Sequence, residues 1–172
     1  MTQPDRTPKP ASDSRVTLTQ MMEVTDANVA GNVHGGVIMR LVDTAAALAA
    51  IRHAGGLAVT VSIDEMAFLE AVHIGDVVTL HASVNDVGTT SMECGVRVES
   101  ENPITGKRVH AASAFLVFVA IDENGHPRAV PLLLAESETE RRRQREAKLR
   151  RQARLTHKEA LKAARAAERS GG

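Results

Sequence analysis

One segment of this chain departs from the usual pattern of a helix with a single apolar face. Over residues 36–53 it is apolar on nearly every side of a helical wheel, with Asp43 set inside the run. Such a helix belongs in a core. The stretches around it read with period two instead. Residues 16–24 predict a first strand. After Gly55-Gly56 ends the helix, further strands are predicted over 57–66, 77–87, 92–100 and 108–121. Val78, Leu80 and Val84 fall on one face of their strand, and Val96 and Val98 on one face of the next. The breaks between strands carry turn chemistry: Gly75-Asp76, Gly88-Thr89-Thr90, Asn102-Pro103-Ile104-Thr105-Gly106 and Asp122-Glu123-Asn124-Gly125. One strand, one long apolar helix and four antiparallel strands make an α+β domain, in which a curved sheet wraps the helix.

The flanks differ from this body. Residues 1–14 hold three prolines and are expected to form a disordered leader, without the apolar core of a signal peptide. The domain is assigned to 15–131. Residues 132–172 are expected to form a charged tail, mainly helical or partly disordered, rich in Ala, Arg, Glu and Lys. Its leucines, 149, 155 and 161, are six apart and make a poor stripe. The formal net charge is zero, yet residues 136–172 carry +6 and the remainder −6. A basic tail on an acidic body can bind something anionic or fold back on its own neighbours.

Composition narrows the function. There is no Trp, no Tyr and only three Phe, so the core must be aliphatic and stacking platforms for single-stranded nucleic acid are lacking. One cysteine, Cys94, excludes an intrachain disulfide framework and a cysteine zinc site; it reads as a packed or surface thiol. The histidines lack metal-site spacing. No window is apolar enough to span a bilayer, and a cytoplasmic location is expected.

The candidate chemistry lies in Asn28-Val29-Ala30-Gly31-Asn32-Val33-His34-Gly35-Gly36 and the helix that follows. An ionised carboxylate in an apolar helix is costly unless something uses or pairs it. Asp43 therefore reads as a catalytic acid, or as a buried carboxylate that caps a backbone group or pairs with Arg40. Asn28 reads as a functional amide or a turn-former, Asn32 as a helix cap, and His34 as pocket lining.

This segment, with Val59-Thr60-Val61-Ser62-Ile63-Asp64, Phe68, Gly75-Asp76-Val77-Val78, Gly88-Thr89-Thr90-Ser91-Met92, Phe118-Val119-Ala120 and Glu140-Arg141-Arg142-Arg143, resembles the hotdog-fold acyl-CoA thioesterases. The resemblance covers about residues 15–145. It implies a hotdog fold, obligate dimers often assembled as trimers of dimers, and active sites at the dimer interface. It implies hydrolysis of acyl-CoA to a free fatty acid and CoA, without cofactor or metal, and neither a nucleic-acid nor a membrane partner. By resemblance, Asp43 is the catalytic acid, as general base or nucleophile. Gly36 supplies the oxyanion contact, and Asn28 acts from the other subunit. Gly36 and Asp43 are seven residues apart, about two helical turns and on one face. Helix-start N–H groups suit an oxyanion, and Gly35 and Gly36 permit close approach. His34, Gly35, Thr90 and Ser91 are expected to meet substrate. Arg97, Lys107 and Arg108 are candidates for the CoA phosphates. The alternative is a non-catalytic acyl-CoA sensor with the basic tail as its output. A hotdog hydratase is disfavoured, because His34 and Asp43 stand in the reverse order.

Overall fold

The computed structural model describes residues 6–170, with side chains to residue 166. In chain order the elements are β1 (Lys9–Pro10), β2 (Val16–Met21), α1 (Gly35–Ala54), β3 (Ala58–Phe68), β4 (Val77–Val87), β5 (Ser91–Glu101), β6 (Arg108–Ala120), β7 (Leu133–Leu134) and α2 (Glu138–Ser170). Five strands form one antiparallel sheet in the order β2-β4-β5-β6-β3. β1 and β7 pair in parallel as a separate ribbon.

Alternation along the strands decides what the sheet covers. Val78, Leu80, Ala82 and Val84 of β4, Met92, Cys94, Val96 and Val98 of β5, and Ala112, Ala114, Leu116 and Phe118 of β6 bury one face against α1. From α1 come Ile38, Leu41, Val42, Ala45, Ala46, Ala49 and Ala50. The run of alanines lets the helix lie close to the sheet. Cys94 is fully buried here, and desolvation, with Glu93 beside it, pushes its thiol well above the usual range. It is a packing residue.

α1 departs from the sequence expectation. It is not buried all round: Met39, Arg40, Thr44 and Leu48 are exposed along the face that carries Gly36, and Asp43 is half-buried beside them. The helix ends as expected, with Gly55 in the left-handed region (φ 65°) and its N–H bonded to Ile51 O.

The flanks are ordered as well. Of the expected leader, residues 1–5 lie outside the described residues. The rest is held in place: Lys9 and Pro10 form β1, Ala11–Ser14 forms a 3-10 turn, and Arg6 donates to Val130 O and Gly88 O. A prolyl two-residue strand has no period to read, so the sequence conceals it.

The tail is helical, and one face of its first half is docked on the sheet. Ser137 and Glu140 form a capping box: Glu140 N donates to Ser137 Oγ (3.2 Å), and Ser137 N to Glu140 Oε2 (3.0 Å). α2 then crosses the outer face of the sheet. Ala147 is buried, Arg150 pairs with buried Glu93 (2.6 Å), and its guanidinium lies 3.6 Å over the Phe115 ring centroid. Arg154 pairs with Asp64, and Arg15 with Glu140 (2.7 Å). The basic tail has folded back onto its acidic body. No helix among the described residues is long and apolar enough to cross a membrane.

Candidate active site

The loop before α1 is shaped by its own amides. Asn28 Oδ1 accepts from Ala30 N (2.8 Å) and Asn32 N (3.2 Å), while the Asn28 backbone N–H donates to Asn32 O (2.7 Å). Gly31 supplies the positive φ, 84°, that closes the turn. Asn28 is thus the turn-former its residue type suggests. Its Nδ2 takes no part in these bonds, and the residue lines a groove of about 390 Å³. Gly35, Ile38, Phe68, Leu69 and Val72 form other walls of that groove. An added Cβ on Gly35 would stand 3.4 Å from the Phe68 ring, so the glycine brings the ring against the helix start.

The helix cap is His34, not Asn32. His34 has extended backbone (φ −64°, ψ 129°), and its Nδ1 accepts from Gly36 N at 2.8 Å. Asn32 instead closes the Asn28 loop and bridges to His73. The cap has a chemical consequence. The Gly36 N–H, the expected oxyanion donor, is occupied by the imidazole, so a substrate oxygen must displace His34 to reach it. A Cβ on residue 36 would sit 2.9 Å from Nδ1, so this cap requires a glycine there.

Asp43 lies farther along the exposed face of α1. Among the described residues no ion pair joins it to Arg40. The carboxylate Oδ1 accepts instead from Thr60 Oγ1 at 2.7 Å. Thr60 stands on β3 opposite core-facing Phe118, which turns its hydroxyl toward the helix. The second carboxylate oxygen, Oδ2, is left to accept a proton. Thr60 escapes a reading of the sequence because a threonine between two valines is ordinary strand composition. The one available signal is its place in the Val59–Asp64 run.

Thr90 and Ser91 are not brought to this site. They occupy the β4–β5 turn, where Thr90 O accepts from Ala120 N and Ser91 lies with Gly88 and Arg151 of α2. The candidate phosphate binders also lie elsewhere: Arg97 pairs with Glu99 (2.8 Å), Arg108 pairs with Glu101 (2.8 Å), and Lys107 is exposed at the β5–β6 turn. A larger cavity, about 590 Å³, lies between the outer sheet face and α2; of the residues expected to meet substrate or CoA, Arg97 alone is among those that line it.

Comparison with known proteins gives the family. Residues 30–107 match the thioesterase superfamily. The chain is 40% identical over 128 residues to an uncharacterized acyl-CoA thioester hydrolase of Bacillus subtilis, covering 74% of each chain. It is 35% identical over 150 residues to the cytosolic acyl coenzyme A thioester hydrolase of Mus musculus, covering 85% of this chain but 39% of the mouse enzyme. Among solved structures, the acyl-CoA hydrolase of Staphylococcus aureus with butyryl coenzyme A, coenzyme A and coenzyme A disulfide superposes with a TM-score of 0.84. That match has 31% identity and covers 91% of this chain and 95% of that one. Structures of the same enzyme carry alanine in place of an aspartate, an asparagine or a threonine. Those three positions are spaced as Asn28, Asp43 and Thr60 are here. The chain belongs to the acyl-CoA thioester hydrolases of the thioesterase superfamily and has their hotdog fold.

Proposed function

We propose that this protein hydrolyses acyl-CoA with Asp43 as the catalytic carboxylate, in a site completed by a second copy of the chain. The observation that carries the reading is the Thr60–Asp43 hydrogen bond on an exposed face of α1. A hydroxyl fixes one carboxylate oxygen and leaves the other to act as a general base. Asp43 takes a proton from water, and the resulting hydroxide attacks the thioester carbonyl. The oxyanion forms at the α1 N-terminus, where the Gly36 N–H becomes available once His34 is displaced. Collapse of the intermediate expels the CoA thiolate, which recovers the proton, and releases the fatty acid. Direct attack by Asp43 would instead expel the CoA thiolate and give an anhydride, which water then opens to the fatty acid and the free carboxylate.

Two features support the second copy. β3 is an edge of the sheet, with β6 as its neighbour, and it exposes Val59, Val61 and Ile63. A long apolar edge of this kind invites pairing with another strand. The exposed side of α1 adds Met39 and Leu48 to the same uncovered surface. Antiparallel pairing of β3 with its copy would cover both, and would let Asn28 of one subunit serve Asp43 of the other. Solved relatives are described as hexameric, which supports a trimer of such dimers here. The cytosolic mouse relative supports a cytoplasmic setting. The sensor alternative loses its free output element, because half of the basic tail is docked on its own sheet.

The test is complementation. Asn28→Ala and Asp43→Ala are each expected to lose turnover of butyryl-CoA. Denatured together and reassembled, they should regain up to about a quarter of wild-type activity through sites that draw both intact residues from different subunits. No recovery in verified mixed oligomers would place Asn28 and Asp43 in one subunit's site.

A further inference from the structure

We infer that α2 braces the catalytic strand, and that Arg154 is a positioning residue for Asp43. This rests on the hydrolase reading above. β3 keeps register with β6 except between Thr60 and Ser62 and between Ile63 and Glu65, where Val61 and Asp64 have no opposite residue. Each is a bulge, which bends a strand and re-aims the side chains beside it. In a regular strand Thr60, Ser62 and Asp64 would face the same way. Here Thr60 stands opposite core-facing Phe118, whereas Ser62 stands opposite Val117, which lies outside the main core. The bulges therefore let the Thr60 hydroxyl reach Asp43 while Asp64 reaches α2 on the outer face.

A bulged residue lacks a ladder partner, and something else must hold it. Both oxygens of Asp64 are used: Oδ1 accepts from Ser62 Oγ (2.9 Å), and Oδ2 pairs with Arg154. Arg154 is 90 residues away in sequence and is set by the helix that carries it. One turn earlier, on the same face, Arg150 fixes that helix by its bidentate contact with buried Glu93 and its stacking on Phe115. The Arg154 and Asp64 side chains are 29% and 10% exposed, so the pair is shielded from solvent screening. Positional information thus runs from α2 through Arg154 and Asp64 to the bulges, and from there to Thr60 and Asp43. The basic tail is part of the catalytic apparatus without touching substrate.

The test is steady-state kinetics on butyryl-CoA for wild type, Arg154→Ala, Arg154→Lys, Asp64→Asn, Thr60→Val and the Arg154→Ala/Thr60→Val double variant. A displacement on the order of 1 Å near the reacting groups costs up to about 100-fold. Arg154→Ala should lower kcat several-fold, by no more than the roughly tenfold loss of Thr60→Val, with KM within about twofold, and Arg154→Lys should recover part of the loss. Asp64→Asn keeps the side-chain volume and should reproduce the defect if the arginine variant folds poorly. The double variant should be no slower than Thr60→Val alone, since both changes act through one contact. Wild-type kcat in both Arg154→Ala and Asp64→Asn, or losses that multiply in the double variant, would overturn the brace. A wild-type enzyme inactive on every acyl-CoA would instead overturn the hydrolase reading on which it rests.

Discussion

Replacing Thr60 by valine removes one hydroxyl and keeps the shape of the side chain. It deletes the 2.7 Å hydrogen bond from Thr60 Oγ1 to Asp43 Oδ1. That length lies within the range expected of a hydroxyl donating to a carboxylate. Hydrogen bonds to charged groups contribute about 1.5–3 kcal/mol. If the whole amount serves to hold the carboxylate for attack, the rate falls by roughly 10- to 150-fold, since about 1.4 kcal/mol is a factor of ten. Thr60 is exposed in a single chain, where water can replace part of the bond, so the lower end is expected: about tenfold in kcat/KM for butyryl-CoA. Thr60→Ser keeps the hydroxyl and should stay within a few-fold of wild type. Thiol release, followed continuously on the three proteins at matched oligomeric state, is the assay. Thr60→Val within twofold of wild type would refute the view that this hydroxyl orients the base.

Other consequences concern the helix ends and the scaffold. Arg150→Ala removes the cation from Glu93, which is 6% exposed, and leaves Asn85 as a neutral donor to it; a loss of about 3–5 kcal/mol is expected in denaturant unfolding. Adding Glu93→Gln should recover much of that loss, and no recovery would argue that packing on Phe115 dominates. His53 is buried at the end of α1, and desolvation holds its pKa below the ordinary value despite the bond to Pro131 O. The unfolded chain therefore binds more protons, so stability is full above about pH 6.5 and falls as pH drops from there toward the lowered folded value. Melting temperature between pH 8 and 5 should fall more steeply for wild type than for His53→Gln; parallel curves would contradict this. Ser137→Ala should cost about 1 kcal/mol through loss of the α2 cap, read as earlier local exchange of the helix start.

The parts of the molecule that show in the sequence, and the parts that do not, divide along physical lines. The central helix and the four strands after it are legible because each carries a clean period and ends in glycine-rich turns. The same apolar pattern misleads about burial. Met39 and Leu48 continue the apolar run of α1 yet lie on its exposed side, the composition expected of the face proposed to meet a second copy of the chain. Residue preference favours Asn32 as the cap, but His34 sits at the turn where a ring nitrogen can reach Gly36 N–H, and geometry overrides preference. The helical character of the tail follows from its composition. Its docking is hidden because arginines, not the leucines six apart, make the contact. The place of Thr90 and Ser91 in the β4–β5 turn, away from Asp43 within one chain, is not legible either, because a turn at a strand end carries no mark of which end of the sheet it occupies.

The central claim is that Asp43 drives thioester hydrolysis. The most direct measurement is thiol release from acyl-CoAs of acetyl to palmitoyl length, on wild type and Asp43→Ala side by side, with oligomer size checked on both. The expected result is turnover by wild type on at least one chain length, reduced by about two or more powers of ten in the folded variant. Near-normal turnover by Asp43→Ala would contradict the account.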